Sequence, residues 1–131
     1  MIIAHIYRSP TSSSTNNLNL MELLRELASM KPDLLSMGDA NLHIDWENMI
    51  ALTTNESDIN HQFLECIQEL DLTQHVQEST RQRGTDTPRC LDIVLTNEEN
   101  YVTNLEQLAP LGKSDHSIIK FETPFTPPAD I

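Results

Sequence analysis

Apolar residues recur along the chain in short continuous runs and in helically spaced stripes, which together predict an α/β fold. Residues 1–7 and 34–37 form apolar runs that predict strands. Between these runs lies an amphipathic stripe that predicts a helix ended by Pro32. Its apolar positions are Leu18, Met21, Leu24, Leu27 and Ala28. A strand, a helix and a strand in this order favour a parallel pair with a right-handed crossover.

The rest of the chain adds one helix and several short strands. Ser57 or Asp58 is predicted to cap the second helix. Its apolar positions are Ile59, Phe63, Ile67 and Leu70. Strands are predicted at residues 72–76, 91–95, 102–108 and 117–121, and loops at 11–17 and 79–89. We expect one domain at residues 1–123 and a tail at 124–131.

A polar turn follows the apolar run at residues 34–37. Gly38 is predicted to break the strand, after which Asp39 and Asn41 present a carboxylate and an amide. In open α/β sheets, reacting groups gather at such strand ends. Asp and Asn are also ordinary turn formers, so this stretch alone leaves a structural turn and a reactive site as alternatives.

Two further polar positions offer chemistry. Asp92 interrupts an apolar strand, and a buried carboxylate needs a partner because its desolvation is costly. His116 is the natural candidate, since a carboxylate on one ring nitrogen fixes the tautomer and raises the basicity of the imidazole. The neighbouring Asp115 offers a ligand for a divalent cation. A capped turn at residues 113–116, and an Asp92 bonded to backbone amides, are the structural alternatives.

Charge narrows the classes of function. The chain of 131 residues has 20 acidic and 8 basic residues, a formal net charge of -12. This balance opposes generic binding to nucleic acid, because affinity for a polyanion comes largely from Lys and Arg. Three of the basic residues cluster in the loop at 79–89, where they either contact phosphates or are simply solvated. They are Arg81, Arg83 and Arg89.

Composition bears on the compartment. No apolar run approaches the roughly 20 residues that a membrane span requires. We therefore expect a soluble, intracellular protein, nuclear or cytoplasmic, with no membrane partner. Cys66 and Cys90 lack metal-binding spacing and are expected to be free reduced thiols.

Four motifs, in order along almost the whole chain, carry a resemblance to a known family. They are Ile6-Tyr7-Arg8-Ser9-Pro10, Gly38-Asp39-Ala40-Asn41, Leu91-Asp92-Ile93-Val94-Leu95-Thr96 and Leu111-Gly112-Lys113-Ser114-Asp115-His116. The sequence resembles the endonuclease/exonuclease/phosphatase superfamily, and most closely the apurinic-like endonuclease domain of non-LTR retrotransposons. The resemblance implies part of a DNase-I-like α/β sandwich, with a mixed sheet and helices on one side. It also implies a phosphodiesterase that nicks DNA with Mg²⁺ or Mn²⁺.

The resemblance implies a role for each matching residue. Asp39 would orient or deprotonate the attacking water, Asn41 would hold a phosphate oxygen, and Tyr7 would donate a hydrogen bond to the phosphate. His116, held by Asp92, would stabilise charge on the phosphoryl group in the transition state. The residues expected to contact DNA phosphates are Arg81, Arg83, Arg89 and Lys113.

Two departures from the family pattern lower the expected activity. Family members begin with another half that supplies the principal metal-binding Glu, so Asp115 alone is expected to hold Mg²⁺ weakly. The uncovered sheet face is expected to pair with the missing N-terminal half or to self-associate. Ala40, where the family has Phe, is expected to leave a gap beside Asp39. The alternatives are a non-catalytic remnant acting through protein contacts and an enzyme for a phospholipid or inositol phosphate.

Overall fold

The computed structural model describes residues 1–30, 33–81 and 90–124, in which strands and helices alternate. The α-helices are α1 (Ser14–Ser29) and α2 (Ile59–Glu69), and a 3-10 helix spans Glu99–Tyr101. The strands are β1 (Ile2–Tyr7), β2 (Leu34–Asp39), β3 (Ile44–Asp45), β4 (Ile50–Ala51), β5 (Thr73–Gln74), β6 (Asp92–Thr96), β7 (Thr103–Leu108) and β8 (Ile118–Glu122).

One four-stranded sheet organises the described residues. Its strand order is β1-β2-β6-β5, with β1 parallel to β2 and the other pairs antiparallel. The parallel pair flanks α1, as the alternation of elements predicts. Two hairpins, β3–β4 and β7–β8, form separate two-stranded sheets. The predicted mixed sheet is therefore confirmed.

Both faces of the central strands are buried at residues 34–35 and 93–95, which explains why these stretches are continuously apolar. On one face, Leu34 and Ile93 pack with α1 and α2 around the fully buried Phe63. On the other face, Leu35 and Val94 pack against the β7–β8 hairpin. The two helices thus lie on one side of the sheet, as predicted.

Strand β1 forms an edge of this sheet and carries exposed apolar side chains. Ile3 is 57% exposed and Tyr7 is 69% exposed. Neither side chain belongs to the cluster that packs under the β7–β8 hairpin. Apolar surface is therefore left open beside the strand that ends at Tyr7.

Helix starts agree with the sequence for α2 and differ for α1. Asp58 caps α2, and its carboxylate accepts hydrogen bonds from the backbone amides of Asn60 and His61. The predicted loop at residues 11–17 is wrong from Ser14 onward, because the Ser13 hydroxyl group accepts from Asn16 and starts α1 there. A Ser-rich stretch serves as both loop and cap, which apolar periodicity alone does not distinguish.

The prediction that Gly38 ends its strand is wrong, since β2 continues to Asp39. Gly38 has φ +145°, and a Cβ there would lie 1.7 Å from the carbonyl oxygen of Ile6. The glycine therefore permits a close approach of β1 to β2, and a strand glycine often has this function.

The other strand predictions agree with the structure to within two residues at each end. The β3–β4 hairpin, with only two residues in each strand, was not predicted. Pro32 and residues 125–131 of the predicted tail lie outside the described residues. No helix among the described residues has the length and apolar character to cross a membrane.

Candidate active site

Sheet register brings three candidate residues into one row. Tyr7 at the end of β1 is paired with Asp39 at the end of β2, and Asp39 is paired with Asp92 at the start of β6. Because β6 runs antiparallel to β2, its first residue lies beside the last residue of β2. Residues far apart in sequence therefore meet in a row across the strand ends at one side of the sheet.

The turn after β2 is held by hydrogen bonds on several sides. The Asn41 backbone amide donates to Asp39 Oδ1 at 3.2 Å, and the Ala40 amide donates to the Leu91 carbonyl oxygen at 2.9 Å. Asn41 has φ +48°, a left-handed conformation that Asn tolerates better than most residues. Ala40 itself is fully buried in the helix-side core. The turn is thus both structural and a platform for two polar side chains.

Arg8 supports this turn from β1 and was not predicted as a site residue. Its guanidinium donates to the carbonyl oxygens of Asn41 at 2.9 Å and Ala40 at 3.4 Å, and to Asn17 Oδ1 at 2.9 Å. Only 7% of the residue is exposed, and burial lowers the pKa of Arg8. Its place in the Tyr-Arg-x-Pro motif was the available signal.

His116 contacts Asp92 directly, as the sequence suggested. His116 Nδ1 lies 2.8 Å from Asp92 Oδ2. The other ring nitrogen, Nε2, is 3.8 Å from Asp39 Oδ2 and 3.8 Å from Asp115 Oδ1. Three carboxylates therefore surround one imidazole.

This arrangement shifts the pKa values of both the imidazole and one carboxylate. Burial alone would lower the pKa of His116, but the hydrogen bond and charge of Asp92, with Asp39 and Asp115, outweigh it and raise that pKa. Burial, followed by the charge of Asp92, raises the pKa of Asp39 against the opposing effects of His116 and Asn41. Perturbed pKa values in a cleft are typical of functional sites.

Asp115 lies beside the imidazole and is paired with a cation. Arg81 Nε donates to Asp115 Oδ2 at 3.1 Å, and this hydrogen bond is the main reason that the pKa of Asp115 is lowered. The two side chains are 24% and 31% exposed. Arg81 is therefore at the site, but its guanidinium is directed to Asp115.

Of the other residues predicted to contact phosphates, the structure describes only Lys113. Lys113 is exposed on the turn before His116. Arg83 and Arg89 lie outside the described residues.

One cavity of about 950 Å³ brings most of the predicted site residues together. It is lined by Tyr7, Asp39, Asn41, Asp115 and His116, together with Arg8 and Arg81. That cavity joins five of the six residues given catalytic or metal-binding roles, and Asp92 lies behind His116.

The donor set suits a divalent cation. One oxygen each of Asp39 and Asp92 and a ring nitrogen of His116 all lie within 4.8 Å of one another. Asp115 adds a further carboxylate at the edge of this group, through its 3.8 Å approach to His116 Nε2. Carboxylate oxygens are the ligands that Mg²⁺ takes in proteins, usually one or two of them with water completing the shell.

Comparison with known proteins identifies the family and the fold. The family model described as endonuclease-reverse transcriptase matches residues 1–120. The fold is similar to the endonuclease domain of TRAS1, a telomere-specific non-LTR retrotransposon, with a TM-score of 0.67 and 20% identity. It is also similar to a variant of the 3′ phosphatase NExo from Neisseria bound to product DNA hairpin, with a TM-score of 0.67 and 15% identity. No curated protein sequence matches the chain.

The share of each solved relative that the chain matches shows how much of their fold it contains. The matches cover 89% and 94% of this chain, but only 52% of the TRAS1 domain and 61% of the Neisseria chain. The chain therefore forms part of a DNase-I-like α/β sandwich. Since the family model covers almost the whole sequence, the chain belongs to the endonuclease-reverse transcriptase family of the endonuclease/exonuclease/phosphatase superfamily.

Proposed function

We propose that the chain carries half of the active site of a metal-dependent phosphodiesterase that nicks DNA. The observation that carries the proposal is the cluster of Asp39, Asp92 and His116, of which Asp39 and His116 line one cavity. Phosphodiester cleavage needs an aligned water, donors on the phosphoryl oxygens and a counter-charge for the developing negative charge. The cluster and the residues around it offer a group for each need.

Asp39 orients the attacking water and accepts its proton. Burial and the charge of Asp92 raise the pKa of Asp39, which makes its carboxylate a better proton acceptor than an exposed one. His116 carries a proton that stabilises negative charge on the phosphoryl oxygens. Asp92 holds the imidazole through Nδ1, which leaves Nε2 directed into the cavity.

Tyr7 and Asn41 bind the phosphate at the rim of the cavity. Tyr7 is 69% exposed, so its hydroxyl group is open to a ligand. Asn41 donates a side-chain amide hydrogen to the Arg8 carbonyl oxygen at 2.6 Å and also bonds the Asp39 carboxylate, so its amide group is held beside the position that we propose for the phosphate. A bound Mg²⁺ or Mn²⁺ would be held by Asp115 and supply charge neutralisation at the phosphate.

DNA is the substrate class that we propose, because one solved relative is bound to product DNA hairpin and the other is the endonuclease domain of a telomere-specific retrotransposon. The net charge of -12 disfavours a broad electrostatic footprint, so we expect local contacts from a few cations. These contacts are assigned to Arg81, Arg83, Arg89 and Lys113.

We infer that the chain alone is impaired and that the complementary half of the domain packs along β1. Ile3 is exposed on this edge strand, and the solved relatives are longer than the matched region. An exposed strand edge with apolar side chains is a ready surface for strand pairing. The complementary half would supply the further carboxylate that a firm metal site needs.

Plasmid nicking tests the proposal. The chain alone, with supercoiled plasmid and Mg²⁺, should nick no faster than background. The chain extended by the coding sequence upstream at its locus should nick, and Asp39→Asn or His116→Ala should remove that activity. Nicking by the chain alone that disappears in Asp115→Ala and His116→Ala would overturn the impairment. An extended protein that folds, binds Mn²⁺ and never nicks would overturn the enzyme assignment.

A non-catalytic remnant acting through protein contacts is the second candidate, and the exposed apolar edge of β1 favours it. The two functions differ in the activity of the extended protein, because only an enzyme would nick plasmid. Contacts through β1 predict that Ile3→Glu abolishes protein association by the chain. Sedimentation of the chain before and after the substitution measures that association.

A further inference from the structure

We propose that Thr80 is a positioning residue for the Asp92–His116 pair. This inference rests on the proposed function, because it assigns Thr80 a part in aligning the imidazole that the phosphoryl group meets. Thr80 lies just before Arg81 and is 1% exposed. It does not line the cavity, so it would act through the residues that do.

The Thr80 hydroxyl group binds the start of β6. Its oxygen accepts hydrogen bonds from the backbone amides of Leu91 and Asp92, both at 3.0 Å. A hydroxyl oxygen has two acceptor lone pairs, and here two successive amides use both. The backbone of Asp92 is thereby fixed at the residue whose carboxylate bonds to His116.

The Thr80 backbone binds the segment that carries His116. The Ser117 amide donates to the Thr80 carbonyl oxygen at 2.6 Å, and the next residue, Arg81, forms an isolated antiparallel bridge with His116. Thr80 is therefore bonded to both segments at once. Its side chain sets one partner of the 2.8 Å Asp92–His116 contact, and its main chain sets the other.

The hydroxyl group, rather than the shape of Thr80, should carry this role. Val has nearly the same shape but no acceptor, so Thr80→Val would leave two buried amides without a partner. Ser keeps the acceptor and loses only a methyl group. A role in packing alone predicts that Val is the milder substitution, whereas positioning predicts that Ser is.

The test uses two NMR readouts of the whole chain. Long-range ¹H–¹⁵N spectra, recorded at a pH above the titration of the ring, identify which His116 nitrogen carries the proton. Amide hydrogen exchange reports the protection of Leu91 and Asp92. Thr80→Val should lose the single Nδ1–H tautomer of His116 and exchange both amides at least about tenfold faster. Thr80→Ser should keep the tautomer and the slow exchange.

Thr96 provides the matched control, because it is a buried Thr like Thr80. It lies on β6, at the opposite end of the strand from Asp92. Its hydroxyl group bonds to Glu98 and His75, away from the cavity. Thr96→Val should leave the His116 tautomer unchanged. A folded Thr80→Val protein with an unchanged tautomer would overturn the proposal. If that variant does not fold, loss of the tautomer in Thr80→Ser would overturn it instead.

The failure of this inference can be told apart from the failure of the proposed function. The NMR readouts need no catalysis, so they decide the role of Thr80 even if the extended protein never nicks DNA. Where nicking is present, Thr80→Val should lower kcat and leave KM within about twofold, because it displaces the imidazole and not the DNA contacts.

Discussion

The side-chain amide of Asn41 donates to the carbonyl oxygen of Arg8 at 2.6 Å, and the Arg8 guanidinium donates back to the carbonyl oxygen of Asn41 at 2.9 Å. These residues are 33 positions apart, and the bonds tie the end of β1 to the turn after β2. The Arg8 backbone amide adds a third link, to the carbonyl oxygen of Asp39 at 2.9 Å. The turn after β2 is thus held by Arg8, the residue that follows β1.

Arg8→Met should therefore destabilise the protein. It removes a buried cation that serves three oxygens on two segments, and the loss should be about 2–3 kcal/mol of the free energy of unfolding. Urea denaturation measures it. The control is Arg25→Met, which breaks an exposed 3.6 Å ion pair with Glu69 and should cost less than about 0.5 kcal/mol. Equal losses in the two variants would show that Arg8 is not a structural centre of this turn.

The contrast between Arg8 and its neighbours shows what the sequence predicts and what it does not. Periodicity predicts α1, α2 and the sheet strands because burial of one face imposes a local spacing on each element. Asp39 and Asp92 also stand out locally, as an acid that follows one apolar run and an acid that interrupts another. Arg8 does not, since two of its three partners are backbone carbonyls 32 and 33 residues away, and any residue type supplies those.

Gly38, in contrast to Arg8, stands out in the sequence, but its structural meaning was predicted wrongly. A glycine after an apolar run is a usual strand end, but here it permits a close approach of two backbones. Only the register of β1 against β2 separates these meanings. The same limit applies to Thr80, whose polar loop gives no local sign that its hydroxyl group is buried.

Asp92→Asn should lower the pKa of His116 towards its ordinary value. The Asp92 hydrogen bond and charge are the main effects that raise that pKa against burial. Because the folded pKa is raised, the contact contributes stability that is fully present below the unfolded value of about 6.5. That stability is lost as the pH rises through the folded value.

NMR titration of the His116 ring measures the pKa, and urea denaturation at about pH 5.5 and about pH 9 measures the stability. The destabilisation by Asp92→Asn should be larger at the lower pH, by at most about 1 kcal/mol, since the pair is partly open to solvent. An unchanged His116 pKa in the variant would show that the Asp92–His116 contact does not raise that pKa.

Arg81→Gln should strengthen the binding of divalent cations. Arg81 donates to Asp115 Oδ2 at 3.1 Å, so its positive charge competes with a metal for the carboxylate that we propose as the metal ligand. Removing that charge should lower the dissociation constant for Mn²⁺ by about threefold or more. Electron paramagnetic resonance of free Mn²⁺ measures the affinity.

Lys113→Gln is the control for this effect, because it removes an exposed charge two positions from Asp115. It should change the affinity less than Arg81→Gln, since exposed charges are screened by salt. Equal changes in the two variants would mean that net charge, and not the Arg81–Asp115 contact, sets the affinity.

Gly38→Ala should disrupt the pairing of β1 with β2, on which the row from Tyr7 to Asp92 depends. The new Cβ would meet the Ile6 carbonyl oxygen at 1.7 Å, and φ +145° is itself strained for alanine. The substitution should lower the free energy of unfolding by about 3 kcal/mol or more. Gly112 is the matched control, because it has φ +60° but nothing within 4 Å of an added Cβ. Gly112→Ala should lose only about 1–2 kcal/mol, the strain of a left-handed alanine. Urea denaturation compares the two variants, and a Gly38→Ala protein as stable as Gly112→Ala would show that the two strands do not approach this closely.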